Sequence, residues 1–190
     1  RRHTVEETKQ AFLLARELGF DNINMDMILG LPEENLSDVE YTLKEIEKLS
    51  PESLTVHSLA IKRASRMKEY MENNKLKISM NHEEAMKLSS EYAARMGLTP
   101  YYLYRQKDMA GNLENTGFAK EGKCGIYNIL MMEEVQSIIA CGAGTVTKRT
   151  FGDGVSGSNL QIERCDTVKD VALYIDKIDE MINRKRQLFA

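Results

Sequence analysis

Two periods of hydrophobic and polar positions alternate along the chain. Ala11, Leu14, Ala15 and Leu18 recur at helical spacing. Thr4 and Glu7 stand before them as a capping box, and Gly19 supplies the stop, so a first helix is predicted between these residues. A period near two then takes over in "INMDMILGLP", Ile23 to Pro32, and predicts a strand over about 22–30. A second helix is predicted from Asn35 or Ser37. It carries Val39, Leu43, Ile46 and Leu49 on one stripe, and Pro51 ends it. "SLTVHSLA", 53–60, reads as the next strand. Asn81 and Glu84 form another capping box for a helix to about Met96, with Gly97 as its stop, and "PYYLYR", 100–105, is again strand-like. Helices alternating with strands through short links are the rhythm of βα units and predict a parallel sheet.

Residues 106–125 break this rhythm. Gly111, Gly117, Gly122 and Gly125, with Asn112 and Asn115, make the segment read as a long structured loop. "YNILMMEEVQSIIACGAGTVTKR" then predicts a short helix or strand and a glycine-rich turn. "NLQIERC" reads as a last strand. Thr167 with Asp170 opens a final amphipathic helix through Ile175, Ile178 and Ile182. The chain shows no internal repeat and no low-complexity linker.

Composition narrows the class. The 190 residues are 42% hydrophobic and 29% charged, ordinary values for a globular protein. A formal net charge of -3 gives no bulk attraction to nucleic acid or to an acidic membrane, so neither is expected as a partner. No apolar run is long enough to span a bilayer, and "RRHTVEETKQ" has no apolar stretch behind its charges, as a signal peptide requires. Position 1 is not methionine, which suggests a fragment or a processed chain. Cys124, Cys141 and Cys165 are odd in number and widely spaced, which points to reduced thiols in the cytoplasm. No CxxC-type metal site can be written, and no metal ligands are assigned. The 11 methionines read as pliable core filler.

Candidate chemistry starts at Asp26. On a strand, Ile23, Met25, Met27 and Leu29 share one wholly apolar face, while Asn24 and Asp26 share the other with Ile28. The apolar face suits a helix layer. The polar face must then look into a barrel lumen or a crevice at the strand's C-terminal end, where α/β folds place ligands. A buried unpaired carboxylate costs several kcal/mol, so Asp26 needs a partner: backbone or an arginine in a structural role, or a polar ligand such as a ribose in a functional one. His57 falls on the same side and is either a donor to substrate or a satisfied core histidine. Cys124 and Cys141 have no evident base and read as idle thiols. Gly142-Ala143-Gly144 lacks a following Lys-Ser/Thr pair. It therefore reads as a site of close backbone approach, not a phosphate loop.

"INMDMILGLP", "SLTVHSLA", "NLENTGFA" and "IIACGAGTVTKR" fall in the order seen in oxygen-independent coproporphyrinogen III oxidases, which are radical S-adenosylmethionine (SAM) enzymes. The chain resembles that family over nearly its whole length, and "YYLYRQKDMAGNLENTGFA" is most similar to the bacterial coproporphyrinogen dehydrogenase branch. The resemblance implies the C-terminal part of a partial (β/α)6 barrel plus a sheet-and-helix extension, an α/β fold, with barrel units over residues 1–105 and the extension over 106–190. It implies a chemistry in which a reduced [4Fe–4S] cluster cleaves SAM to a 5′-deoxyadenosyl radical. Two propionates of a tetrapyrrole then become vinyls, giving protoporphyrinogen IX, with an electron donor as partner. By motif position, Asp26, Ala60, Val146 and Arg1 match SAM contacts. The cluster ligands of that family lie in a CxxxCxxC loop, which is absent from this chain, so these residues alone are expected to be inactive. Cations recur just past the expected strands: Lys62, Arg63 and Arg66; Arg105 and Lys107; Lys148 and Arg149. Some of them are expected to hold propionates, because arginine and lysine neutralise carboxylates. The same family includes haem chaperones, an alternative reading. Those carry a His-Asn-x-x-Tyr box where this chain has Tyr127-Asn128-Ile129-Leu130-Met131. Oligomeric state is left open.

Overall fold

The computed structural model describes residues 3–59, 61, 66–77, 80–104, 115–152 and 161–190, without the side chain of Arg66. They form two compact units, one running to Gly125 and one starting at Ile126. No helix among the described residues is long and apolar enough to cross a bilayer.

The first unit holds helix α1 (Val5–Glu17), strand β1 (Asn24–Leu29), α2 (Leu36–Leu49), β2 (Ser53–Ser58), α3 (Arg66–Asn74), α4 (His82–Arg95), β3 (Thr99–Tyr104) and β4 (Asn115–Ala119). The helix starts follow local chemistry. Thr4 and Glu7 cap each other reciprocally at α1, and Asn35 does the same with Asp38 at α2. Asn81 accepts from the amides of Glu83 and Glu84 at α4, a one-sided version of the expected box. Helix α3 was not expected from the sequence.

The four strands form one sheet in the order β1-β2-β4-β3. β1 and β2 are parallel, and β4 runs antiparallel to both β2 and β3, so β1, β2 and β3 share one direction. The expected parallel set therefore exists, but a fourth strand is inserted into it against the grain. That strand, Asn-Thr-Gly-Phe-Ala, lies in the segment read as loop, and all five residues are buried. It also follows the boundary expected after residue 105, so that boundary falls between two paired strands. Burying one Phe is worth ~1.5–3 kcal/mol, against a spread of ~1 kcal/mol in strand propensity. Phe118, 3% exposed, thus outweighs the poor propensities of its Asn and Gly neighbours.

Helices α2 and α4 cover one face of this sheet. Val39, Leu43 and Ile46 from α2 and Ala85, Tyr92 and Ala93 from α4 pack with Met27, Leu29, Leu54, Val56 and Phe118 in a single cluster. The register places Met27 beside Val56 and Asp26 beside Thr55, so the odd positions of β1 face the helices and the even ones face away.

The second unit contains α5 (Ile126–Glu133), β5 (Val146–Phe151), β6 (Gln161–Asp166), α6 (Val171–Asp176) and α7 (Ile178–Phe189). β5 and β6 pair antiparallel, with Val146 opposite Asp166 and Lys148 opposite Arg164. Strand β5 was not separated from the preceding turn in the sequence. The final helix is two helices broken at Lys177, whose φ of -103° and ψ of 23° leave the helical range. Asp170 caps the first of them. Gly142 and Gly144 have φ of +115° and +69°, and a Cβ at Gly144 would stand 3.6 Å from the Cα of Lys169. That is ordinary contact, so the left-handed φ values, not a close approach, call for glycine in this turn.

Candidate functional site

Because α2 and α4 occupy one face of the first sheet, the even positions of β1 and the odd positions of β2 gather on the other. Asn24, Asp26, Thr55 and His57 lie there together. The Asp26 side chain is 64% exposed, so the buried carboxylate expected from the sequence is corrected: among the described residues no layer covers its face. It nevertheless has partners. Asn24 Nδ2 donates to Asp26 Oδ1 at 2.7 Å, and His57 Nε2 stands 3.8 Å from the same oxygen. The Thr55 hydroxyl donates to Asn24 Oδ1 at 3.1 Å. The imidazole of His57 is the largest influence on Asp26 and lowers its pKa. Partial burial opposes this, and Asn24 and Thr55 add to the lowering, so the carboxyl is held below the usual range.

Tyr102 extends the group from β3. It pairs in register with Gly117, and a Cβ at Gly117 would stand 2.0 Å from Tyr102 Cε1. The tyrosine ring therefore occupies the space the glycine leaves. Burial is the largest influence on the Tyr102 phenol and raises its pKa, a hydrogen bond with Thr55 opposes it, and the Asp26 charge adds to the rise. The phenol is thus a neutral hydrogen-bonding group beside an ionised carboxylate. A cleft of about 320 Å³ opens beside Asp26 along β1, walled by Ala11, Phe12, Ile23 and Asn24.

Gly117→Ala should cost ~1–3 kcal/mol, because the added methyl must drive an aromatic ring aside. Urea unfolding monitored by tyrosine fluorescence checks this. In a Tyr102→Ala background the same change should cost far less. Equal costs in both backgrounds would refute the ring-over-glycine packing.

Sequence reasoning singled out Asp26 and weighed His57 but missed Thr55 and Tyr102 as site residues. Thr55 was legible, since it shares the strand face of His57. Tyr102 was not, because its place depends on a strand read as loop. Asn115, expected in a loop, is buried in β4 and accepts from the amide of Ser58 at 2.9 Å.

The structure does not add the other expected site residues to this group. Arg1, Ala60, Lys62, Arg63, Arg105 and Lys107 lie outside the described residues. Arg66 opens α3. Val146, Lys148 and Arg149 belong to the second unit and stand within β5, not past the end of a strand. Val146 is exposed. Lys148 is buried and paired with Glu134 at 3.3 Å. Arg149 points to the opposite strand face, donates to the carbonyl of Leu188 at 2.6 Å and lies over the rings of Phe151 and Phe189.

A carboxylate flanked by an amide, a hydroxyl and a phenol suits a ligand with hydroxyl or ammonium donors, such as the ribose or amino acid part of SAM. An iron–sulfur cluster does not fit the donors present. Cys124, Cys141 and Cys165 are free, and no group of three or more His, Cys, Asp or Glu side chains among the described residues could hold a metal.

No family model matches the chain. Over its whole length it is 43% identical to the oxygen-independent coproporphyrinogen-III oxidase-like protein HemZ of Bacillus subtilis (strain 168), of which it spans 38%. Over 83 residues, 44% of the chain and 22% of the relative, it is 29% identical to the heme chaperone HemW of the same bacterium. The fold matches that of coproporphyrinogen III oxidase (HemN) from Escherichia coli, described as a radical SAM enzyme. The TM-score is 0.59 at 17% identity, covering 94% of this chain and 39% of that one. The chain thus shares the α/β fold of the matched part of that structure. The chain is similar to HemZ along its whole length and spans about two fifths of that protein.

Proposed function

We propose that the protein is a radical SAM oxidoreductase that oxidatively decarboxylates propionates of coproporphyrinogen III to vinyls. In this reading the 190 residues supply SAM-binding and substrate-binding side chains. The observation that carries it is the placement of Asp26, ionised and aimed away from the helix layer, with a cleft beside it. The identity to HemZ along the whole chain supports it.

Asp26 accepts hydrogen bonds from the ribose hydroxyls or the amino group of SAM. Asn24 and His57 keep that carboxylate ionised and oriented, and the Tyr102 phenol offers a further hydrogen bond on the same face. Bound SAM would supply the radical chemistry of the reaction, and Asp26 would hold and orient it. The 190 residues contain no CxxxCxxC, so they do not supply that set of cluster ligands.

Equilibrium dialysis of the full-length protein against labelled SAM tests this. Saturable binding, competed by S-adenosylhomocysteine and not by ATP, is the expected result, and its absence would overturn the proposal. The isolated 190-residue chain under dithionite should release no 5′-deoxyadenosine, and release would show that cluster chemistry resides in these residues after all.

The match to HemW favours a second reading, a haem-binding chaperone. Against it, Tyr127 and Met131 stand at the two ends of the box where His and Tyr are expected. Titration with haemin separates the two: a stoichiometric Soret shift without SAM-dependent product would favour the chaperone.

A further inference from the structure

Helix α7 spends only part of its apolar face inside the second unit. Met181 is buried in the unit, and Lys185 reaches back to the carbonyl of Ala140. Ile178, Ile182 and Phe189 stand on the flank of that face, and all three are exposed. The stripe begins in α6, where Val171 and Ile175 are more exposed still, Ile175 at 66%. Successive spacings of four, three, four and seven residues put these five on one helical side. Helix-type bonds continue across the break at Lys177: its amide donates to the Leu173 carbonyl and its carbonyl accepts from the Met181 amide, each at 3.0 Å. An exposed apolar stripe rimmed by charges marks an interaction surface.

The charges identify the occupant. Away from the stripe they satisfy one another: Arg184 donates to Glu180 at 2.6 Å, and Lys177 lies 3.7 Å from the same carboxylate. Asp179 and Arg186 differ. Asp179 lies three residues before Ile182, and Arg186 lies four after it and three before Phe189, so both border the stripe. Both are exposed, and neither has an ion-pair partner among the described residues. Two helical turns, ~10 Å, keep them from pairing with each other. A second α7 laid antiparallel, with a two-fold axis between Ile182 and Asn183, brings Asp179 of each copy to Arg186 of the other. The same axis sets Ile182 against its own copy and brings Ile175 toward Phe189 of the second. A parallel pair would instead oppose like charges at both positions, which is unfavourable.

We propose that the α6–α7 stripe is a self-association surface whose occupant is a second copy of this chain, docked antiparallel. Burial of the apolar side chains supplies the attraction. The two Asp179–Arg186 pairs fix direction and register, since exposed ion pairs add little affinity but discriminate between arrangements. One helix pair lies at the low end of interface sizes, so the dimer dissociates in the micromolar range. It is independent of what the Asp26 face binds.

Sedimentation equilibrium of the full-length protein tests this, and a reversible monomer–dimer equilibrium is the expected result. Ile182→Glu should weaken the dimer by roughly 10-fold or more, because the axis places two copies of residue 182 in contact. Asp179→Arg and Arg186→Asp should each weaken it by roughly 5- to 10-fold, since each creates two like-charge contacts per dimer. Both positions are exposed, and an unchanged urea midpoint checks that the fold is kept. Combined in one chain, the two charge reversals exchange the partners and should restore the dimer to within about twofold of the original. A protein that stays monomeric throughout the micromolar range overturns the proposal. So does a dimer indifferent to Ile182→Glu, whose interface lies elsewhere. A double reversal no better than either single one overturns it too, and would mean that a different surface, such as another segment of the full-length protein, meets Asp179 and Arg186.

Discussion

Asp26→Asn should weaken SAM binding by roughly 10- to 100-fold, the range set by ~1.5–3 kcal/mol for a hydrogen bond to a charged group. Asparagine matches aspartate in size, so the change removes charge and leaves the shape. It also turns one acceptor oxygen into an amide donor facing Asn24 Nδ2, itself a donor at 2.7 Å. Because the side chain is 64% exposed, the fold should hardly notice. Surface substitutions of this kind stay within about 0.5 kcal/mol. Affinity for SAM and the urea midpoint, measured on one preparation, check the prediction. Unchanged affinity, or a loss matched by unfolding, would show that the carboxylate is not a cofactor contact. The lowered pKa also has a sign: Asp26 is charged above the ordinary carboxylate range, so its contribution to affinity should persist on mild acidification and fail only as pH drops below that range.

Glu52→Ala should destabilise the first unit by about 1–3 kcal/mol, the cost of removing a hydrogen-bonded carboxylate whose partners are left unsatisfied. Glu52 is 8% exposed. Its carboxylate receives Arg16 from α1 at 2.6 Å, the Ile23 amide at 3.0 Å and Lys120 at 3.5 Å. Its own carbonyl accepts from the Lys120 amide. One side chain thus joins α1, the start of β1, the start of β2 and the residue after β4. Alanine leaves the part-buried Ile23 amide without its acceptor and takes the counter-ion from Arg16 and Lys120. Glu52→Gln keeps an acceptor for Ile23 and should recover part of the loss.

Burial is the largest influence on Glu52 and pushes its pKa up, but the Ile23 amide, Arg16 and Lys120 outweigh it, and the net shift is downward from 4.5. A lowered folded-state pKa contributes stability above the unfolded value and loses it as pH falls through the folded one. Acidification from neutrality to below about 4.5 should therefore narrow the gap between the native protein and Glu52→Gln. Urea unfolding at several pH values measures this. A gap that widens on acidification would reverse the assignment.

The helices were legible because their signals are local. Thr4 with Glu7, and Asn35 with the stripe of Val39, Leu43 and Ile46, announce a helix start and its buried face within a few residues. The polar face of β1 was legible for the same reason, since a period of two is written in the strand itself. What failed was of another kind. β4 is a strand because Phe118 finds the core and because β2 and β3 offer ladders on both its sides. Nothing in Asn-Thr-Gly-Phe-Ala says so. The break at Lys177 has no proline or glycine to mark it.

The candidate site divides along the same line. Asp26, with the direction it faces, belongs to the sequence, since alternation of side chains along a strand is a local property of the backbone. The sequence also holds the identity to HemZ and the absence of a three-cysteine loop. Tertiary structure alone brings Tyr102 over Gly117, ties Arg149 to the Leu188 carbonyl and pairs Lys148 with Glu134. These depend on which strands pair and in what register. A ladder joins residues far apart in the chain, and its register is chosen by the packing energy of the whole sheet, which no short window of residues contains.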